Sequence, residues 1–527
     1  MSIQRRIGSL LKLDASYRRG LLLSFLVGFA VRLIPELLAY PYPIGYDTVH
    51  YVAVTKNGVV WGHWSSVFST WLLYAVLSGV HSLLQVDPVL LVKLVAPLLY
   101  ALNACGVYYF TKQVLGWDAR TSLVAALFFV FQLAAFRISW DLLRNALGMA
   151  LLLFALPFVV KLESKMNLVW FVVLSVLVVF CHELTSVVMF AVVTGGIMLR
   201  AGLNRNTAKL LKVSAAILPA MIVFSASVYC RVFPVQLGVE TNIIEAVAPV
   251  ARPGGLFFLA NYFVGSRSGS YPGYFDLASH VFSVFVVLYL LCLPLVVVGF
   301  FRNRVLDVWT VFLVCASFGC LVLPLFAFDS WDRWMFLLVY PLSFYAVNGL
   351  LKVFQSVRRA VRPRFGWLRW MRVSKGTAVG LLFGMILLTS FYMGATLQSD
   401  NYVVFSIPTI SRYFSVAPTI PLQDVEGTVQ VMEWLNGHMH DGSCVLVHTA
   451  FLEWANLHLD GSHTVVVYVT GIAEAMDVAT GNGFSTVYLV WWGEDIGWYW
   501  VTAPSGFRPV FESGRMAAFE YSLLRAD

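Results

Sequence analysis

Charge is what this sequence has least of. Only 12% of its 527 residues are Asp, Glu, Lys or Arg, where a soluble globular chain carries about a quarter. With 59% hydrophobic residues and a mean hydropathy of +0.77, that scarcity excludes an ordinary soluble enzyme and implies a polytopic α-helical membrane protein. Lysine is missing altogether after residue 398. Residues 399–527 hold 4 Arg against 14 Asp and Glu, a net of −10, which leaves +18 in residues 1–398. An acidic, lysine-free tail behind a basic apolar part suggests two compartments. The basic residues sit in short connections and form no continuous stripe, so nucleic-acid binding is not implied.

Cysteine is equally uninformative as a scaffold. Seven are present, and only Cys444 lies in the tail. No disulfide framework can form within that tail, and no CxxC or Cys/His metal spacing occurs. A GxGxxG dinucleotide loop, a P-loop, HExxH and GxSxG are all missing, so neither nucleotide hydrolysis nor a serine triad is supported. No small-residue cleavage site follows the first apolar run, which is therefore read as a retained span.

What is present is a series of apolar runs of membrane length, about 20 residues per helix. They fall at about 20–39, 89–110, 121–138, 143–161, 168–181, 185–199, 209–231, 278–300, 306–327, 334–352 and 377–397. Val67 to Leu84 reads either as a further span or as an amphipathic helix on the membrane surface. The positive-inside rule decides for the surface, because the basic stretch 353–376 then faces the cytoplasm with the N-terminus. About 11 spans result, and Asp47, Asp141, His182, Glu183, the loop 232–277, Asp329, Asp332 and the tail fall together outside. Residues 1–398 form the membrane domain. Residues 399–527 read as an extracytoplasmic α/β domain, with β-rich runs at Cys444–His448, Thr464–Thr470, Thr486–Trp492 and Met516–Leu523 and helical patterns at Val425–Leu435 and Gly471–Ala479.

Ionisable groups at membrane depth are costly and become functional candidates by default. The first span ends on Arg32 and Glu36, one turn apart, which pair with each other or leave Arg32 for an anionic ligand. The stretch PYPIGYDTVHY at 41–51 follows at once. Two prolines and a glycine break the helix there, and Asp47 and His50 emerge just outside the membrane. Asp141 opens the fourth span, as a helix cap or as a ligand group. Arg144 lies one turn inside, where a guanidinium calls for an anion such as phosphate. CHELTS at 181–186 interrupts a run too long for one span, so His182 and Glu183 mark a turn that is either structurally polar or substrate-facing. FDSWDRWMF at 328–336 offers Asp329, Asp332 and Arg333, with Trp331 and Trp334 as interface anchors or sugar platforms. Asp329 and Asp332 are weak candidates for a divalent metal, since hard cations want several convergent oxygens, and no other cofactor is called for. The tail's Trp434, Trp454, Trp491, Trp492, Trp498 and Trp500 read first as core.

These features together resemble the GT-C superfamily of integral-membrane glycosyltransferases, which includes protein O-mannosyltransferases, the aminoarabinose transferase of lipid A and oligosaccharyltransferase catalytic subunits. The resemblance rests on Arg32 followed by the GYD turn, on STWLLYAVLSGVHSLLQVD, and on LLVKLVAPLLYALNACGVYYFTKQVLGWDARTSLVAALFFVFQLAAFRISWDLLRN, which closes on Asp141. It covers about residues 20–165, and beyond them the arginine before a late span, Arg333. It implies inverting transfer of a sugar from a polyprenyl- or dolichyl-phosphate-linked donor to a protein, lipid or glycan acceptor at the outer face, by a multi-pass protein of the cell membrane. Asp47 would then be the base that deprotonates the acceptor hydroxyl. Arg333 and Arg144, with Arg32, would hold the donor phosphate, and His50, Asp141, His182, Glu183 and Asp332 would bind acceptor or substrate. Asp47 is followed by Thr48 where O-mannosyltransferases carry an Asp-Glu pair, and no WWDYG follows the spans, so sequon-directed transfer and a required metal are not implied. A transporter or flippase of lipid-linked saccharides is the alternative.

Overall fold

The computed structural model describes residues 15–59, 67–162, 164–232, 243–245, 274–322, 331–356, 360–361, 373–395, 419–469, 471–493 and 503–523. Asp329, Trp498, Trp500, the 398/399 boundary and most of the basic stretch 353–376 lie outside the described residues.

Each of the eleven expected spans is occupied by a helix or by a bent pair of helices. Helix α1 (Ala15–Leu38) leads through the 39–47 turn into the short α2 (Thr48–Asn57) and α3 (Leu72–Leu84). Then come α4 (Pro88–Gln113), α5 (Ala119–Val130), α6 (Leu133–Asp141), α7 (Leu143–Val160) and α8 (Lys165–Cys181). Helix α9 (Glu183–Ala191) continues through a π-helical turn at Val192–Met198 into α10 (Leu199–Leu203), and α11 (Thr207–Val232) returns. The second half holds α12 (Tyr274–Tyr289), α13 (Leu293–Gly299), α14 (Arg304–Phe318), α15 (Trp331–Leu337), α16 (Val339–Gln355) and α17 (Lys375–Ala395). Among the described residues eight helices are long and apolar enough to cross a membrane, or ten if each bent pair is one span. Helix α8, at 17 residues, accounts for the eleventh expected segment.

Two details depart from the sequence expectation. The run 121–138 is not one straight span: α5 and α6 meet at 64°, and α12 and α13 meet at 73°. Helix α3 has 13 residues, about 20 Å at 1.5 Å per residue, too short to cross and in keeping with a surface helix. The apolar run around CHELTS does break where expected, at His182, an extended residue between α8 and α9.

The tail folds as α18 (Leu422–His438), β4 (Ser443–His448), α19 (Leu452–His458), β5 (Thr464–Tyr468), α20 (Ile472–Gly481), β6 (Thr486–Trp492), β7 (Arg508–Ser513) and β8 (Met516–Ser522). All four expected strands and both expected helices are present. Strands β5, β4 and β6 pair in parallel, joined by helical crossovers, and β8 and β7 extend the sheet antiparallel. Residues Ile243–Glu245, here β1, add a parallel edge strand beside β5, so the sheet draws one strand from the 232–277 loop; β2 (Ala360–Val361) and β3 (Val373–Ser374) pair antiparallel in a separate two-stranded ribbon. The inner strands are buried along nearly their whole length, as expected for a parallel sheet covered on both faces. Trp454, Trp491 and Trp492 are core residues at 2% exposure or less.

Candidate functional site

The site is built from the turn between α1 and α2 outward. Lys93 on α4 reaches across to Glu36 at 3.0 Å and donates to the carbonyl of Tyr42 at 2.5 Å, tying the turn to the bundle. Gly45 then takes a φ of +102°, and a Cβ there would lie 2.6 Å from the Trp140 carbonyl and 2.7 Å from Thr48 Oγ1. Only glycine fits that approach. Thr48 Oγ1 donates back to the Ile44 carbonyl at 2.5 Å, so the threonine closes the turn and α2 begins.

Asp47 sits at the N-cap of α2 but does not cap it: its backbone is αR, and its side chain makes no capping hydrogen bond. A carboxylate in that position ordinarily satisfies an exposed amide. Here it faces Arg333, whose guanidinium lies 4.0 Å away, and the two side chains are 37% and 36% exposed. Although part of Asp47 meets solvent, the surrounding walls exclude enough water that burial, followed by the charge of Asp141, raises its carboxyl above the ordinary range. The nearby charges of Arg333, Arg137 and Arg144 pull it back down without cancelling the rise. A poorly solvated carboxylate with a raised affinity for protons suits a general base.

Behind the turn, Asp141 is buried and ion-paired with Arg137, one helical turn earlier on α6. Arg137 also lies over the ring of Phe336, 5.3 Å from its centroid, which connects α6 to the start of α15–α16. Arg144 donates to Thr70 Oγ1 at 2.8 Å and lies 5.2 Å from the Tyr74 centroid, beneath Tyr51 and close enough to bear on Asp47. The structure thus gathers Asp47, Asp141, Arg144 and Arg333 at one end of the bundle, with Asp332 beside Arg333 on the same turn of α15.

Other candidates are placed elsewhere. Arg32 is fully buried, 2.8 Å from Glu36, donates to the Ser139 carbonyl, and lies 4.8 Å from the Trp140 ring. With Lys93 it forms a buried Arg–Glu–Lys cluster that braces α1 on α4 and α6. His50 turns away from Asp47: its Nδ1 meets Glu453 Oε1 on α19 at 2.8 Å. His182 Nδ1 accepts from the Leu184 amide and lies 3.4 Å from Glu183, at the same bundle end, where Trp71 packs on Phe180.

Four functional-looking residues escaped the sequence reading. Arg137 had a visible signal, an arginine inside an apolar run. Tyr51 and Tyr74, which frame Arg144, read as ordinary aromatics and had none. Glu453 lay in a tail helix with no local mark of its contact. Among the described residues, no three or more His, Cys, Asp or Glu converge as metal ligands.

No family model matches the chain, and no curated protein matches it in sequence. Among solved structures it is similar to ArnT from Cupriavidus metallidurans in two crystal structures, one bound to undecaprenyl phosphate and one in the apo state. The identities are 12% and 13%, the TM-score is 0.45 for each, and each comparison covers 95% of this chain and 97% of the other.

Proposed function

We propose that the chain is an inverting glycosyltransferase that moves a sugar from a polyprenyl- or dolichyl-phosphate-linked donor to an acceptor at the outer face of the membrane. The observation that carries this reading is a partly exposed, non-capping carboxylate, Asp47, 4.0 Å from Arg333 at the end of an apolar helix bundle. Asp47 accepts the proton of the acceptor hydroxyl as its oxygen attacks the anomeric carbon. The bond from that carbon to the donor phosphate breaks, and the electron pair leaves with the phosphate. Attack opposite the leaving group requires one base on one face, and inversion follows. Charge developing on the departing phosphate needs preorganised cations, a role we assign to Arg333 and Arg144. Asp141 with Arg137 and Asp332 shape the floor beneath them, and His182 and Glu183 are proposed to meet the acceptor farther along the same face. Arg32 acts only by holding α1.

The bent pairs α5–α6 and α12–α13 favour one second reading, a carrier of lipid-linked saccharides, because broken helices are a feature of transporters. A single assay separates the two. Full-length protein in liposomes is given a panel of polyprenyl-phosphate sugars. The enzyme reading expects free polyprenyl phosphate and a product of inverted anomeric configuration from at least one donor. Movement of donor between leaflets without release of polyprenyl phosphate from any of them would sink it.

A further inference from the structure

The guanidinium groups of the bundle differ in what neutralises them. Arg32 is paired with Glu36 and Arg137 with Asp141, while Arg333 faces Asp47 at 4.0 Å. Arg144 forms no ion pair with a carboxylate among the described residues. Its Nη1 donates to Thr70 Oγ1 at 2.8 Å, and its charge lies 5.2 Å from the Tyr74 ring centroid. The Tyr51 hydroxyl is within hydrogen-bond reach of both the guanidinium and the Arg144 backbone amide. Arg144 Nε is buried and meets no acceptor. A buried donor without an acceptor is costly, and a guanidinium held only by neutral groups keeps its full charge. That combination fits a cation kept ready for an incoming anion.

The groups that hold Arg144 come from two short segments. Tyr51 lies on α2 one turn after Asp47, at 2% exposure, and its amide donates to the Asp47 carbonyl. Residues four apart on a helix share a face, so one element sets both the base and the hydroxyl that reaches Arg144. Thr70, 6% exposed, stands just ahead of α3, and Tyr74 lies in the first turn of that helix. The Tyr51 and Tyr74 rings are 5.5 Å apart and inclined by 32°, packing α2 on the surface helix beside the guanidinium. A carboxylate in place of either hydroxyl would also fix the arginine, but it would cancel the charge that a leaving phosphate needs. A hydroxyl restrains the geometry and leaves the charge intact.

We propose that Thr70 and Tyr51 are positioning residues that aim Arg144 at the donor phosphate. The inference rests on the sugar-transfer reading and deepens it, because α2 and the segment leading into the surface helix then fix where the cation stands relative to Asp47. Preorganised charge stabilises a departing phosphate because nothing has to be gathered during the reaction. Without either hydroxyl, Arg144 keeps its charge and loses its direction.

The test is a double-mutant cycle in the full-length protein. It is read by binding of undecaprenyl phosphate and, separately, by kcat and KM for transfer from the donor found active in liposomes. Arg144→Gln is expected to weaken undecaprenyl phosphate binding about tenfold, the worth of one hydrogen bond to a charged group. Tyr51→Phe and Thr70→Val each weaken it about threefold and lower kcat more than they raise KM. Thr70→Ser, which keeps the hydroxyl, restores both. In an Arg144→Gln background neither hydroxyl deletion has a further effect, since each acts only through the guanidinium. Losses that multiply with that of Arg144→Gln overturn the proposal, as does a Thr70→Ser protein no better than Thr70→Val. Binding untouched by Arg144→Gln overturns it as well. A protein that binds in the expected pattern but transfers no sugar keeps the positioning and loses the transfer reading; transfer with multiplying losses does the reverse.

Discussion

Glu36 carries more of the local structure than any other acid in the first span. Its two oxygens meet Arg32 at 2.8 Å and Lys93 at 3.0 Å, all three side chains being buried. Removing one partner from such a cluster leaves uncompensated charge in a region without water, which costs about 3–5 kcal/mol. Glu36→Ala is therefore expected to lower the unfolding temperature in mild detergent sharply, with turnover lost because the Asp47 turn hangs from Lys93. An unchanged unfolding temperature would mean that the cluster contributes little. Asp47 itself gives a prediction with a sign. Its carboxyl is raised above the ordinary range near pH 4, and the base works only when deprotonated, so kcat/KM falls on the acid side at a pH above that value. Arg333 is the largest of the lowering influences. In Arg333→Gln the acid limb of the residual activity moves to higher pH, and a limb that stays in place or moves down would refute the electrostatic assignment.

At the scale of elements, the tail is fastened to the site through α19. Besides the His50–Glu453 pair, Lys56 Nζ donates to the Leu457 carbonyl at 2.5 Å, and Asn57 donates to the Asn456 carbonyl at 3.2 Å. All three contacts land on α2, whose N-cap is Asp47, so the position of the sheet domain bears on the carboxylate. Burial, then the neighbouring Lys56 charge, lowers the pKa of His458 to about 4. A histidine ordinarily titrates near 6.5, so between those values the undocked state binds more protons. Docking is accordingly strongest above pH 6.5 and weakens as pH falls toward 4. Glu453 acts lower still: burial pushes it up, but its hydrogen bond and charge interaction with His50 outweigh that and hold it below the usual range. Its contribution is lost only as pH falls through that lowered value. Hydrogen exchange of α19 should rise between pH 6.5 and 4, and His458→Asn should flatten that rise. Exchange that is constant over this window in the wild type would contradict the coupling.

For the whole molecule, the apolar spans were readable because twenty consecutive apolar residues leave little alternative. The α/β tail was readable because its inner strands are continuous apolar runs between helical patterns. The bend between α5 and α6 was not, since Phe131 and Gln132 carry no proline or glycine, and the second bend was not read either, although Pro294 stands at the start of α13. Strand β7 hid behind a half-exposed pattern with Pro509 in it, and three-residue β1 is too short to register. Asp47, Arg333, Asp141 and Arg144 could be gathered from sequence because topology puts them at one level. Arg32 and His50 share that neighbourhood in sequence, but their partners, Lys93 and Glu453, are distant in the chain and decide where they point. Sidedness is tested by a cysteine introduced at exposed Asp441, with the native cysteines replaced: a membrane-impermeant thiol reagent should label it from outside the cell, and labelling from the cytoplasmic side alone would invert the topology.

The measurement that bears most directly on the central claim is single-turnover sugar transfer by Asp47→Asn, alongside binding of the lipid-phosphate donor. A positioned general base contributes about 10²–10⁴ in rate, so transfer should fall by that factor while donor binding stays within a few-fold of wild type. Transfer at the wild-type rate would contradict the account.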